Sequence, residues 1–236
     1  MLLAAVRRSV VVPLALLALL LAPGAASPAG LIVIHGAASG SRLTLSTQHG
    51  RLVVDGLQAH AHPRGCRLTR HRMRSICSLK RGATSIVLEM GDSGDFVDVA
   101  EPMPLPVTAY LGGGSDKMIG NAERDICYSQ GARRNRCVGG PGNDICITGQ
   151  RNSDCVGGAG NDYCQTGAGS DGCWGGPGND ICKMGPGEDG CHGEGGNDRL
   201  YGGAGADQLY GGPGWDFCDG GPGRGKSHTC NAGPGH

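Results

Sequence analysis

Between Leu111 and Pro222 the apolar positions recur singly, about one in every nine residues, and a glycine-rich polar run separates each from the next. Four blocks show the pattern in full: Gly139-Gly-Pro-Gly-Asn-Asp144-Ile-Cys146-Ile, Gly157-Gly-Ala-Gly-Asn-Asp162-Tyr-Cys164-Gln, Gly175-Gly-Pro-Gly-Asn-Asp180-Ile-Cys182-Lys and Gly202-Gly-Ala-Gly-Ala-Asp207-Gln-Leu209-Tyr. Their common form is Gly-Gly-x-Gly-x-Asp-x-U-x, with U apolar. The glycine half opposes both helix and strand, because glycine loses the most freedom on ordering and serves where φ must be positive. It predicts a tight turn. The x-U-x half predicts a short strand whose middle side chain points away from its neighbours. Turn and strand, repeated, make a coil with two blocks per turn, so strands eighteen residues apart stack at about 4.8 Å. About a dozen blocks hold one register, with a single one-residue insertion near Gly131–Val138.

The nonapeptide resembles the repeat of the repeats-in-toxin family of calcium-binding proteins, a resemblance that covers about half of the chain. It implies an all-β fold, a right-handed parallel β-roll, with the U side chains inside, the loops stacked along two edges, and Ca²⁺ held between loops. The carboxylates give that reading a chemical basis. Calcium is a hard ion that takes six to eight oxygens, and each loop ends in one Asp. Eighteen-residue spacing sorts these into two edges. One reads Asp125, Asp144, Asp162, Asp180, Asp198, Asp216 without a gap; the other reads Asp116, Arg134, Ser153, Asp171, Asp189, Asp207, Gly225. Aspartate also caps turns with no metal present, but a stack of carboxylates repels itself unless neutralised. The broken edge is flanked by Arg133, Arg136 and Arg151, and a guanidinium at Arg134 is expected either to supply positive charge there or to face solvent in a decayed repeat.

The chain departs from the family at U, which is cysteine in most blocks: Cys127, Cys137, Cys146, Cys155, Cys164, Cys173, Cys182, Cys191 and Cys218, with Leu200 and Leu209 between and Cys230 after the last block. With Cys66 and Cys77 these make 12, an even number, which in an exported chain reads as a set of disulfides. Two connectivities use every roll cysteine. Bridges across the coil join 127 to 137, 146 to 155, 164 to 173, 182 to 191 and 218 to 230; bridges along the stack join 127 to 146 and 137 to 155. The cross-coil form is expected, because in-register parallel neighbours suit disulfide geometry less well.

Ahead of the roll, residues 1–26 form a secretory leader: Arg7 and Arg8, the apolar run Val10–Ala22, then small residues. The run is short and holds Pro13, whereas a spanning helix needs about 20 apolar residues, and no later stretch is long enough to span. Cleavage takes Arg7 and Arg8 from the 21 basic residues, leaving 19 against 21 acidic ones. A near-neutral chain argues against a nucleic-acid or anionic-membrane partner. Residues 27–82 alternate as Leu31-Ile-Val-Ile34, Leu43-Thr-Leu45 and Leu52-Val-Val54, which predicts a small β region capping the solenoid. A Cys66–Cys77 disulfide is expected to close a hairpin around a basic segment; His60, His62 and His71 nearby show no metal-ligand spacing. Residues 83–110 predict degenerate first turns, with strands Ser85–Leu88, Phe96–Val99 and Val107–Tyr110 and a proline-rich turn between Glu101 and Pro106. Residues 111–223 are the roll and 224–236 a tail.

The outward residues over the complete Asp edge include Ile126, Tyr128, Ile145, Ile147, Tyr163, Ile181, Tyr201 and Phe217, a stripe expected to serve self-association or an extracellular surface ligand. Neither His-Glu-x-x-His nor Gly-x-Ser-x-Gly occurs, so no catalytic residues and no enzyme activity are expected. The sequence therefore points to a secreted, extracellular, calcium-binding structural or adhesive protein, small and of bacterial type. A toxin, or a hydrolase remnant whose roll aids secretion, is the alternative.

Overall fold

The computed structural model describes residues 31–36, 40–56, 66–68, 74–79, 83–131, 133–222 and 229–232. Among these, every regular element is a strand, and the strands form two sheets. The nine-stranded first sheet runs Leu31–His35, Ser85–Glu89, Val107–Tyr110, Ile126–Ser129, Ile145–Thr148, Tyr163–Gln165, Ile181–Lys183, Arg199–Tyr201, Phe217–Asp219. The chain visits the twelve-stranded second sheet between those strands, at Arg42–Gln48, Phe96–Val99, Lys117–Ile119, Arg136–Pro141, Asp154–Ala159, Gly172–Pro177, Gly190–Gly195, Gln208–Gly212 and Thr229–Ala232. Pairing along both stacks is parallel and in register: Cys127 lies beside Cys146, Cys146 beside Cys164, and Cys155 beside Cys173. The chain is thus a parallel β-solenoid, one strand per sheet per turn.

The solenoid starts earlier than the repeat spacing predicts. Leu31–His35 pairs in parallel with Ser85–Glu89, and Arg42–Gln48 in parallel with Phe96–Val99, so residues 31–48 already make a turn of the coil. An antiparallel excursion follows. Arg51–Asp55, Arg74–Ser78 and Cys66–Leu68 extend the second sheet beyond its first coil strand. This excursion lies within the 27–82 region, whose first two strands belong to the coil. Cys66 stands opposite Cys77 in the hairpin, and Cys77 is disulfide-bonded. Arg74 is tied to the Asp55 carboxylate through both Nε and Nη2. Arg70, Arg72, His60, His62, His71 and residues 1–26 lie outside the described residues.

The interior changes character along its axis. The first turns bury Ile34, Leu43, Leu45, Ile86, Leu88, Val97, Val107 and Met118, large side chains that remove much apolar area from water. From Cys127 to Cys191 the mid-strand inward positions are cysteines, each no more than 5% exposed, and Met184 is buried with them. Leu200 and Leu209 then return the core to aliphatic packing. The proline-rich turn is pinned to the coil by Asn121, whose side-chain amide donates to the carbonyls of Met103 and Leu105 at 3.2 and 3.0 Å.

Candidate metal centre

Each Asp of the unbroken edge sits where a loop enters a strand, and its neighbours in the stack dictate its orientation. The Asp125 amide donates to Asp144 Oδ1 at 2.7 Å, that of Asp144 to Asp162 Oδ1 at 2.7 Å, and that of Asp162 to Asp180 Oδ1 at 2.7 Å. The amides of Asp180 and Asp198 continue the row, to Asp198 Oδ1 and Asp216 Oδ1 at 2.8 and 2.9 Å. One carboxylate oxygen per residue is therefore committed to the backbone of the preceding turn. The other is buried without a hydrogen-bond partner at Asp144, Asp162, Asp180, Asp198 and Asp216. A buried acceptor left unmade costs about 1–3 kcal/mol, and more when charged.

The second edge repeats the arrangement with different members. The amides of Ser153 and Asp171 donate to Asp171 Oδ1 and Asp189 Oδ1 at 2.7 and 2.8 Å, and that of Asp189 to Asp207 Oδ1 at 3.1 Å. Above the break, Asp95 donates through its amide to Asp116 Oδ1, and Asp116 to Asn135 Oδ1, both at 2.9 Å. Asn135 therefore occupies the position expected for Arg134. The inserted residue lies ahead of it, and the ladder is closed by a neutral side chain of the same shape as Asp. Arg134 is instead 70% exposed and pairs with Asp154 at 2.9 Å on the outer surface, so it supplies no charge to the ladder. Ser153 fills its place with a hydroxyl turned to the Arg151 carbonyl. Asp95 extends this edge by one position beyond the residues that the repeat spacing identifies; the turn half of the repeat is nevertheless present in its loop, Gly91-Asp-Ser-Gly-Asp95. It is 2% exposed, and its Oδ2 has no hydrogen-bond partner. Gly225 lies outside the described residues.

Burial sets the electrostatics. Desolvation, set against the hydrogen bond from the Asp144 amide, raises the carboxyl of Asp162 to about 6. Desolvation likewise lifts Asp116 and Asp125 to about 6. Asp180 and Asp189 rise to about 7, by desolvation and by the charges of stacked neighbours. Asp144 rises to about 8, again by desolvation first and then by Asp162 and Asp125. Burial also raises Asp95, Asp171 and Asp198. A file of carboxyls raised by burial and mutual repulsion is a site short of positive charge.

Close approach of backbone completes the donor set. A Cβ placed on Gly157 would stand 2.6 Å from the Gly175 carbonyl oxygen and 2.7 Å from Asp162 Cβ, and one on Gly175 would stand 2.8 Å from both Asp180 Cγ and the Gly193 carbonyl oxygen. Only glycine fits there, and its absent side chain leaves carboxylate and carbonyl oxygens facing one another. All-oxygen donors with buried, unpartnered carboxylate atoms suit a hard divalent cation such as calcium.

A second ladder runs outside the first and was no part of the sequence expectation. The side-chain oxygens of Asn143, Asn161, Asn179 and Asn197 accept from the amides of Asn161, Asn179, Asn197 and Trp215 at 2.7, 2.7, 2.7 and 2.8 Å. Its signal is visible in the chain, an Asn before the Asp at eighteen-residue intervals. These bonds fasten each loop to the next at the exposed rim.

The disulfides cross the core between the sheets, as expected; Cys127–Cys137 is the expected pair, and from Cys146 onward the register differs. Cys127 is bonded to Cys137, Cys155 to Cys164 and Cys173 to Cys182, with Cα separations of 6.1, 6.1 and 6.5 Å. Cys146 and Cys191 are left as buried thiols, so the pairs 146–155, 164–173 and 182–191 are not formed. Nor does any described bridge run along a stack. Cys218 is disulfide-bonded, while the strand Thr229–Ala232 carries Cys230 into register with Leu209.

The fold and this site define a calcium-type parallel β-roll of nonapeptide repeats. Residues 156–182 and 192–225 match the RTX calcium-binding nonapeptide repeat (4 copies), and the chain carries repeats of that family. No curated protein and no solved structure matches the chain. No helix among the described residues is long and apolar enough to cross a membrane.

Proposed function

We propose that this chain is a secreted, calcium-stabilised structural or adhesive protein without catalytic activity, in which the two Asp edges hold the ions. The row of buried carboxylates with unpartnered oxygens carries the reading. Five inter-loop positions lie along Asp125, Asp144, Asp162, Asp180, Asp198 and Asp216; two lie between Asp171, Asp189 and Asp207; Asp95 with Asp116 adds one more. Bound calcium would supply the positive charge these carboxyls lack, and the loops would then stack without mutual repulsion. Disulfides in the core are compatible with an extracellular setting.

Calorimetric titration tests the ligand assignment. Binding of several ions is expected, each with Kd on the order of 10⁻⁴–10⁻³ M. Asp162→Ala should remove the two positions that share it, and Ser153→Ala none. Equal stoichiometry in the two variants would remove these carboxylates from the ligand set.

The adhesive part of the proposal rests on the outer face of the first sheet. Ile126, Ile145, Tyr163 and Ile181 stand in one in-register row and are half-buried; Arg199 follows, and Phe217, 52% exposed, ends the row. Tyr110 stacks on Tyr128 in the same sheet with ring centroids 5.1 Å apart. The double variant Ile145→Lys/Ile181→Lys is expected to keep its calcium stoichiometry and to lose self-association or attachment to the producing cell's envelope. Unchanged mass in solution together with unchanged calcium-dependent attachment would leave the stripe as a solvent-facing β surface.

A further inference from the structure

The eight cysteines from Cys127 to Cys191 alternate along the chain between the first sheet (Cys127, Cys146, Cys164, Cys182) and the second (Cys137, Cys155, Cys173, Cys191). Each inner cysteine therefore has two cross-core neighbours, one before it and one after. The sulfurs of Cys146, Cys155 and Cys164 all lie within 4.8 Å of one another, as do those of Cys164, Cys173 and Cys182. Cys146 Sγ thus lies within 4.8 Å of both sulfurs of the Cys155–Cys164 bridge, and Cys191 follows Cys182 in the row as Cys155 follows Cys146. We infer that the row is a thiol relay, in which disulfide exchange moves the free thiol of Cys146 along the core until it meets that of Cys191 and the two are closed as a fourth bridge.

Each step conserves bonds and electrons. Cys146 Sγ, its proton lost, attacks Cys155 Sγ; the Cys155–Cys164 bond breaks, and its electron pair goes to Cys164 Sγ, which takes up the proton. Cys164 then attacks Cys173 and releases Cys182 in the same way. Thiol–disulfide exchange of this kind needs no oxidant. The thiols are now on Cys182 and Cys191, side by side. A small disulfide such as oxidised glutathione accepts their two electrons and two protons, becomes two thiols, and leaves a Cys182–Cys191 bond. The end point is 127–137, 146–155, 164–173 and 182–191, which is the one nearest-neighbour pairing of eight that leaves no thiol. Leu200 and Leu209 occupy the next inward positions, so the relay stops short of Cys218.

A parity rule makes the relay testable. In the full chain carrying Cys191→Ser, seven row cysteines remain. If bridges form only between cross-core neighbours, the single thiol can rest only on a first-sheet cysteine. The oxidised variant is equilibrated with a trace of reduced glutathione, quenched in acid, alkylated in denaturant and mapped. The label is expected to be shared among Cys127, Cys146, Cys164 and Cys182 and missing from Cys137, Cys155 and Cys173. Label on Cys146 alone, or label on the second-sheet cysteines, overturns the relay. The unmutated chain gives an arm that does not depend on the variant folding. With oxidised glutathione its row thiols should fall by two, with Cys146–Cys155 and Cys182–Cys191 found by non-reducing mapping. Retention of Cys155–Cys164 with Cys146 and Cys191 still free, or capped by glutathione, overturns it equally.

Discussion

In the presence of chelator, the melting temperature of this protein falls as the pH is raised from 5 to 8, and millimolar calcium abolishes most of the fall. The expectation follows from the raised carboxyls of the two edges. Asp116, Asp125 and Asp162 titrate at about 6 in the fold, Asp180 and Asp189 at about 7, and Asp144 at about 8. In the unfolded chain an Asp titrates near 3.9. Between those limits the folded state binds more protons than the unfolded one, so stability falls as pH rises. Below about pH 4 both states are protonated and the folded carboxyls keep their full advantage; it is lost as pH climbs through 6 to 8. A tenfold difference in proton affinity between the folded and unfolded chain corresponds to about 1.4 kcal/mol. Allowing for coupling between neighbours, the total loss is several kcal/mol, a fall on the order of 10 °C for a chain of this size. A cation that binds only the folded state restores stability by mass action, and in doing so displaces the protons. Adding calcium near pH 7 should therefore acidify a weakly buffered solution. A melting temperature in chelator that is flat or rising from pH 5 to 8, or calcium uptake without proton release, would mean that these carboxyls are not the binding groups.

The nonapeptide makes the roll legible because two independent periods coincide in it, glycine turns at nine residues and stacked aspartates at eighteen. Where either period is interrupted, the pattern loses its hold on the fold. The first coil turn, 31–48, reads as part of a cap because the antiparallel strands 51–55, 66–68 and 74–78 separate it from its parallel partner at 85–89. At the ten-residue block the insertion can be placed before or after the ladder position. Only the hydrogen bond from the Asp116 amide to Asn135 Oδ1 decides that Asn135, and not Arg134, belongs there. The disulfide register is beyond the sequence for a different reason. Every inner cysteine has two cross-core partners at much the same chain separation, and a repeat that makes all positions equivalent carries nothing to choose between them.

Reduction should melt one half of this solenoid and spare the other. From Ile34 to Met118 the interior is mainly Ile, Leu, Val and Met; from Cys127 to Cys191 it is mainly cysteine, with Met184 among them. A fully buried aliphatic side chain stabilises by about 1.5–3 kcal/mol, whereas a thiol buries far less surface and leaves the thin coil dependent on its cross-links. Each bridge closes a loop of about ten residues, as the separations of 10, 9 and 9 show, and contributes roughly 2–3 kcal/mol in the chain-entropy model. Hydrogen exchange read by mass spectrometry separates the contributions. Oxidised protein in chelator is expected to keep protected amides in both halves. Reduced protein in calcium should lose part of the protection between 127 and 191, and reduced protein in chelator should lose nearly all of it there while strands 85–89, 96–99 and 107–110 stay protected. The ordering follows from what each agent removes: chelator restores repulsion at the rims, reduction frees the unfolded chain, and only together do they leave the cysteine core with neither restraint. Uniform loss across the molecule on chelation alone, with all bridges intact, would show instead that the ions hold the whole coil and that the disulfides add little.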